Sequence, residues 1–154
     1  MKTKILLTIL MIAGLAACNK DKYNTKPTLT LRSINTKDVA ANSNLVFEFV
    51  VTDKEGDISD SIYVKKVRLN RVVVPTIRDS FSFRLPDVPN TTKSFVTVDL
   101  GYQNYLISAI NPRPTVGPPA GRESDTLLFK FVLKDKAKNI SDTFTSEQIV
   151  IRRQ

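Results

Sequence analysis

Leu45-Val46-Phe47-Glu48-Phe49-Val50-Val51-Thr52 decides the fold. Leu45, Phe47, Phe49 and Val51 fall on one side of an extended chain, and Val46, Glu48, Val50 and Thr52 fall on the other. One face is wholly apolar and the other mixed, which is the period-2 signature of a strand covering a core. Leu127-Leu128-Phe129-Lys130-Phe131-Val132-Leu133-Lys134 repeats the pattern, with Lys130 and Lys134 directed outward. Each run ends in an acidic turn, Asp53-Lys-Glu-Gly-Asp57 and Asp135-Lys-Ala-Lys-Asn139.

Shorter runs carry the same alternation: Leu29 and Leu31, then Phe81, Phe83 and Leu85, then Phe95, Thr97 and Asp99 against Val96, Val98 and Leu100. Over 62–69 the apolar face switches from Ile62 and Val64 to Val67 and Leu69, which predicts a bulge near Lys65-Lys66. Val72-Val73-Val74 is expected to end at Pro75. Tyr105–Ile110 is a further candidate strand, and Phe144–Ile151 is expected to form the last one. The proline-rich stretch 111–121 is a loop. Short strands separated by turn signals, with no helical periodicity, predict an all-β antiparallel sandwich.

Composition narrows the chemistry. The chain of 154 residues has no His and one Cys. An internal disulfide, a cysteine-cluster metal site and any histidine-based acid, base or zinc ligand are thereby excluded. No glycine-rich phosphate loop occurs. The remaining catalytic option uses carboxylates alone, such as Glu55 with Asp57 in a glycoside hydrolase. The pattern favours a non-enzymatic protein.

The first residues fix an address. Lys2 and Lys4 precede an apolar run, Ile5–Ala17, of 13 residues. A membrane-spanning helix needs about 20 residues, so the run fits the core of an export signal. It ends in Leu15-Ala16-Ala17-Cys18, which resembles the lipobox of bacterial lipoproteins. The resemblance implies cleavage before Cys18 and covalent lipid on its sulfur, with two or more acyl chains giving a stable anchor. The expected division is a signal peptide over 1–17, a lipidated tether over 18–27 and a β-sandwich domain over 28–154. Loss of Lys2 and Lys4 lowers the formal charge from +8 to +6. Residues 19–26 are polar and reach about 30 Å at roughly 3.5 Å per residue. Asn19 differs from the Asp that resembles an inner-membrane retention signal, so the outer membrane is the expected location, with the periplasmic and surface faces both open.

The two acidic turns resemble those of bacterial Ig-like and cadherin-like sandwich domains. If the strands before them are B and F of such a fold, the B–C and F–G loops cluster at one end. Asp53, Glu55, Asp57, Asp135 and Asn139 would then come together, with Asp60 and Asp142 nearby. Alternating oxygen ligands and Gly56 suit calcium. Asp, Asn and Gly equally serve plain turn chemistry, and Lys54, Lys136 and Lys138 lie among the acids. The same topology would bring the tether in at the acidic end.

For partners, the proline-rich loop with Tyr102, Tyr105 and Arg113 is a candidate contact face for an envelope protein or a glycan. Lys65, Lys66, Arg68 and Arg71 form a candidate basic patch for an anionic surface. An extracytoplasmic address leaves nucleic acid out.

Overall fold

The computed structural model describes residues 25–87, 91–117 and 120–154. The export signal, Cys18 and the tether as far as Asn24 lie outside the described residues.

The alternating runs form two packed sheets. The first contains β1 (Thr28–Ile34), β3 (Leu45–Thr52) and β6 (Lys93–Leu100) in the order β1-β3-β6. The second runs β2 (Asp38–Val39), β11 (Ile149–Ile151), β9 (Asp125–Lys134), β4 (Ser61–Arg68) and β5 (Ser80–Arg84). A short strand, β10 (Phe144–Thr145), also pairs with β9. In the distal loop, β7 (Pro114–Thr115) and β8 (Gly121–Arg122) form a small ladder. All pairings are antiparallel except β2 with β11, where the chain leaves the first sheet and joins the second. With β3 and β9 in the B and F positions, this is an Ig-like strand order.

The two central strands face each other. Phe47 and Phe49 of β3 and Phe129 and Phe131 of β9 are fully buried. Phe131 lies 4.7 Å from Phe47 and 4.9 Å from Phe49, ring centre to ring centre, and the rings are tilted or edge-on. That geometry suits the aromatic quadrupole, and each such pair adds about 0.5–1.5 kcal/mol beyond area burial. Leu45, Val51, Ile62, Leu127, Leu133, Ile149 and Ile151 complete the core. A second aromatic group, Phe81, Phe83 and Tyr105, closes one flank at centroid distances of 4.8 and 5.1 Å from the tyrosine ring.

Several expectations require correction. β4 has no bulge: its register with β9 is continuous from Ser61 to Arg68. Period 2 persists, and the inward positions after Ile62 and Val64 are Lys66 and Arg68, both buried at the side chain. Cations occupy core positions because the buried Asp125 carboxylate receives Arg68 and the Ile107 carbonyl receives Lys66. The irregularity lies in β1, between Leu31 and Ser33. The extra residue, Arg32, is turned onto the Phe95 ring, 5.0 Å from its centre.

The expected last strand is two strands. At the break, Ser146 donates its N–H to Phe129 and accepts the Phe129 N–H on its hydroxyl, so a side chain stands in for a backbone partner. Ser141 does the same for Leu133. Val72–Val74 forms no strand, and Val73 is exposed. Tyr105–Ile110 forms no strand: Tyr102–Leu106 is one wide helical turn, and beyond it only Ala109 makes a single bridge, to Thr76.

Candidate functional site

The acidic turns meet. β3 and β9 end on the same side of the sandwich, and across the two sheets the Lys136 N–H donates to the Asp57 carbonyl at 3.0 Å. One carboxylate oxygen from each of Asp53, Asp57 and Asp135 lies within 4.8 Å of the others. Asp53 and Asp135 are buried, and Asp57 is partly so.

Most of their oxygens already have donors. Asp53 accepts the N–H groups of Glu55 and Asp57 at 3.4 and 3.2 Å. Asp135 accepts the Asn139 N–H at 2.7 Å and its amide at 2.9 Å. The Asp57 Oδ2 accepts the Ala137 N–H at 2.9 Å across the two turns. The Asp57 Oδ1 is enclosed without a hydrogen-bond donor. A hydrogen bond shared with Asp53, helped by burial, raises the Asp57 carboxyl above its ordinary range. Glu55 is exposed and is not one of the three clustered acids. Asn139 is spent on Asp135, while Asp60 faces Lys134 and Lys138 at 3.9 and 3.2 Å.

The turns share a backbone device. Gly56 and Lys138 take φ of 76° and 75°. The left-handed conformation is open to glycine and costs a lysine about 1–2 kcal/mol. The first described residues are at this end too: Pro27 is buried, and Lys26 reaches Asp142 at 2.6 Å.

The far end holds a cluster missed in the sequence. Asp125, fully buried, accepts the N–H groups of Ser108 and Ala109, both at 3.1 Å, and the Arg68 Nε–H at 3.0 Å. Arg153 stands 3.5 Å away. Arg68 also reaches Glu123 and the Val72 carbonyl. Lys66 donates to the Ile107 carbonyl at 2.6 Å, and burial pushes its amine down to about 8, against the pull of Asp79 and Asp125. A cavity of about 260 Å³ borders Lys66, Arg68, Asn70, Thr76 and Asp79. The one signal was the unbroken alternation through Ile62, Val64, Lys66 and Arg68.

The basic patch is therefore corrected: Lys66 and Arg68 point into the sandwich, leaving Lys65 and Arg71 exposed. The tyrosine contact face is corrected as well. Tyr102 is 6% exposed and donates its hydroxyl to the Arg152 carbonyl at 2.6 Å. Tyr105 packs on Phe81 and Phe83. Arg113 is exposed beside the distal ladder, its carbonyl accepting the Glu123 N–H.

Among the described residues, no helix is long and apolar enough to cross a membrane. Comparison with protein families, with curated proteins and with solved structures returns no match.

Proposed function

We propose that this chain is a lipoprotein of the bacterial envelope, a non-catalytic binding or structural module carried on lipid at Cys18. The observation that carries the reading is Leu15-Ala16-Ala17-Cys18 closing a basic-then-apolar leader. The fold supports it: β1 begins at Thr28, soon after Cys18, and the first described residues lie against the acidic turns. A short tether would hold that end within about 30 Å of the membrane. Absence of histidine and the capture of the acidic side chains by backbone amides support a module without catalysis. The expected partner is an envelope protein or a glycan, and the outer membrane is the expected location.

Growth of a Gram-negative host with labelled palmitate tests the anchor. The full chain is expected to take up label and partition with membranes, and Cys18→Ser is expected to lose both. Label retained by Cys18→Ser would overturn the reading.

A second reading is favoured by Asp57, whose Oδ1 has no donor and which clusters with two buried acids: calcium held by Asp53, Asp57 and Asp135. Oxygen ligands from carboxylates suit this hard cation, which would relieve the crowding that raises the Asp57 pKa. Glu55 is not part of this set. Thermal melts with millimolar calcium and with chelator decide the matter: an equal midpoint in both removes calcium.

A further inference from the structure

We infer that two copies of this chain associate through the free edge of β6, extending the first sheet across a two-fold axis at Val96. The four edges of the two packed sheets are managed differently. β1 carries a bulge, β2 has two residues, and β5 has five and is followed closely by Pro86. These are the ordinary devices against edge pairing. β6 has eight residues, an unbroken register with β3, and no proline. No other strand of the described residues pairs with its outer side.

Backbone parity sets which groups are offered. The Asp53 N–H donates to the Thr92 carbonyl at 3.0 Å, and these residues lie directly opposite. Hydrogen-bonded and non-bonded pairs alternate in an antiparallel ladder. Ser94, Val96, Val98 and Leu100 therefore bond to β3, and Lys93, Phe95, Thr97 and Asp99 turn their N–H and carbonyl groups outward. All four are exposed, Phe95 by 61%.

Only residues of this second set can exchange bonds with a copy. A two-fold centred on Val96 pairs Phe95 with Thr97 of the other copy and Lys93 with its Asp99. Both opposite-charge pairs then form at once. Shifting the axis to Phe95 or Thr97 forfeits them. This charge complementarity within one strand selects a second copy over an unrelated peptide. Beside the edge lie two adjoining hollows of about 150 and 160 Å³, bordered by Ile58, Phe83, Leu85, Pro86, Val96 and Thr97. The symmetry axis would cover this apolar rim on both copies. It also sets the two β1 starts, Thr28 in each copy, at opposite ends, so a dimer held by the proposed anchor lies with its strands along the membrane.

The test uses the full chain in membranes and in non-ionic detergent. Sedimentation is expected to give a protein mass of two chains. Val96→Cys is expected to form a disulfide-linked dimer, because facing residues of a non-bonded pair are about 4.5 Å apart at Cα, within disulfide range. The parent chain, with Cys18 alone, is the control. Lys93→Glu faces acid with acid and is expected to weaken the dimer roughly tenfold, while Lys93→Glu with Asp99→Lys restores it. A single-chain mass up to about 0.1 mM, no cross-link beyond the parent's, or equal loss in the single and double charge variants would each overturn the proposal.

Discussion

Replacing Lys66 by Met removes a buried charge while keeping a long unbranched side chain. Lys66 is 3% exposed, and burial lowers its amine from 10.5 to about 8. The unfolded chain therefore holds this proton more firmly than the folded one. Stability is withheld below the folded value and recovered as pH rises from about 8 to 10.5, where both states are neutral. The full shift corresponds to about 3 kcal/mol at 1.36 kcal/mol per pKa unit. The adjoining cavity admits solvent on one side, so screening reduces the expected recovery to about 1–2 kcal/mol. Urea unfolding of both proteins at intervals from pH 7 to 10.5 measures it, since the difference cancels the other titrating groups. The parent should gain about 1–2 kcal/mol on Lys66→Met across that window. At pH 7 the variant loses the donor to the Ile107 carbonyl, a cost of about 1 kcal/mol, against relief from the buried charge. A pH-independent difference, flat to within about 0.5 kcal/mol, would refute the claim that the amine is desolvated.

Asp125→Asn leaves Arg68 and Arg153 without their buried counter-charge and is expected to cost about 3–5 kcal/mol in urea unfolding; a loss below about 1 kcal/mol would show the network to be dispensable. Lys138→Gly removes the left-handed strain, about 1–2 kcal/mol, but loosens the unfolded chain by about 0.5–1, so a net gain near 0.5 kcal/mol is expected; a lower thermal midpoint contradicts it. Asp57→Asn in chelator is expected to gain on the parent as pH rises above about 4, because the raised Asp57 pKa makes the folded state keep a proton that the unfolded state releases. Parallel pH curves for parent and Asn variant would show that the shared hydrogen bond with Asp53 carries no energy.

Carboxylates capped by N–H groups close both ends of the sandwich, and this explains which features were legible in the sequence. At the acidic end the donors are local. Asp53 takes amides two and four residues on, and Asp135 takes one four residues on. Such short-range capture is written in the spacing of Asp, Gly and Asn, so two strands and their turns sufficed to place these acids together. Glu55 failed because an exposed position in the same turn has the same composition. At the far end, Asp125 draws amides from 16 and 17 residues upstream and a guanidinium from another strand. No local spacing encodes those partners. Lys66 and Arg68 therefore read as surface charge, and the apparent change of face in β4 suggested a bulge. The period of 2 runs unbroken through β4, against the expected switch of face; the assumption that cations face water produced that error. A long side chain crosses to the core when a buried acid and carbonyls meet its donors, as Asp125, Val72 and Ile107 do. The same reasoning separates β6 from the other edges: its charges sit at strand positions facing solvent, with no buried partner to draw them in. Lys93 and Asp99, whose Oδ1 takes the exposed Asn44 amide at 2.9 Å, are placed to pair across an edge.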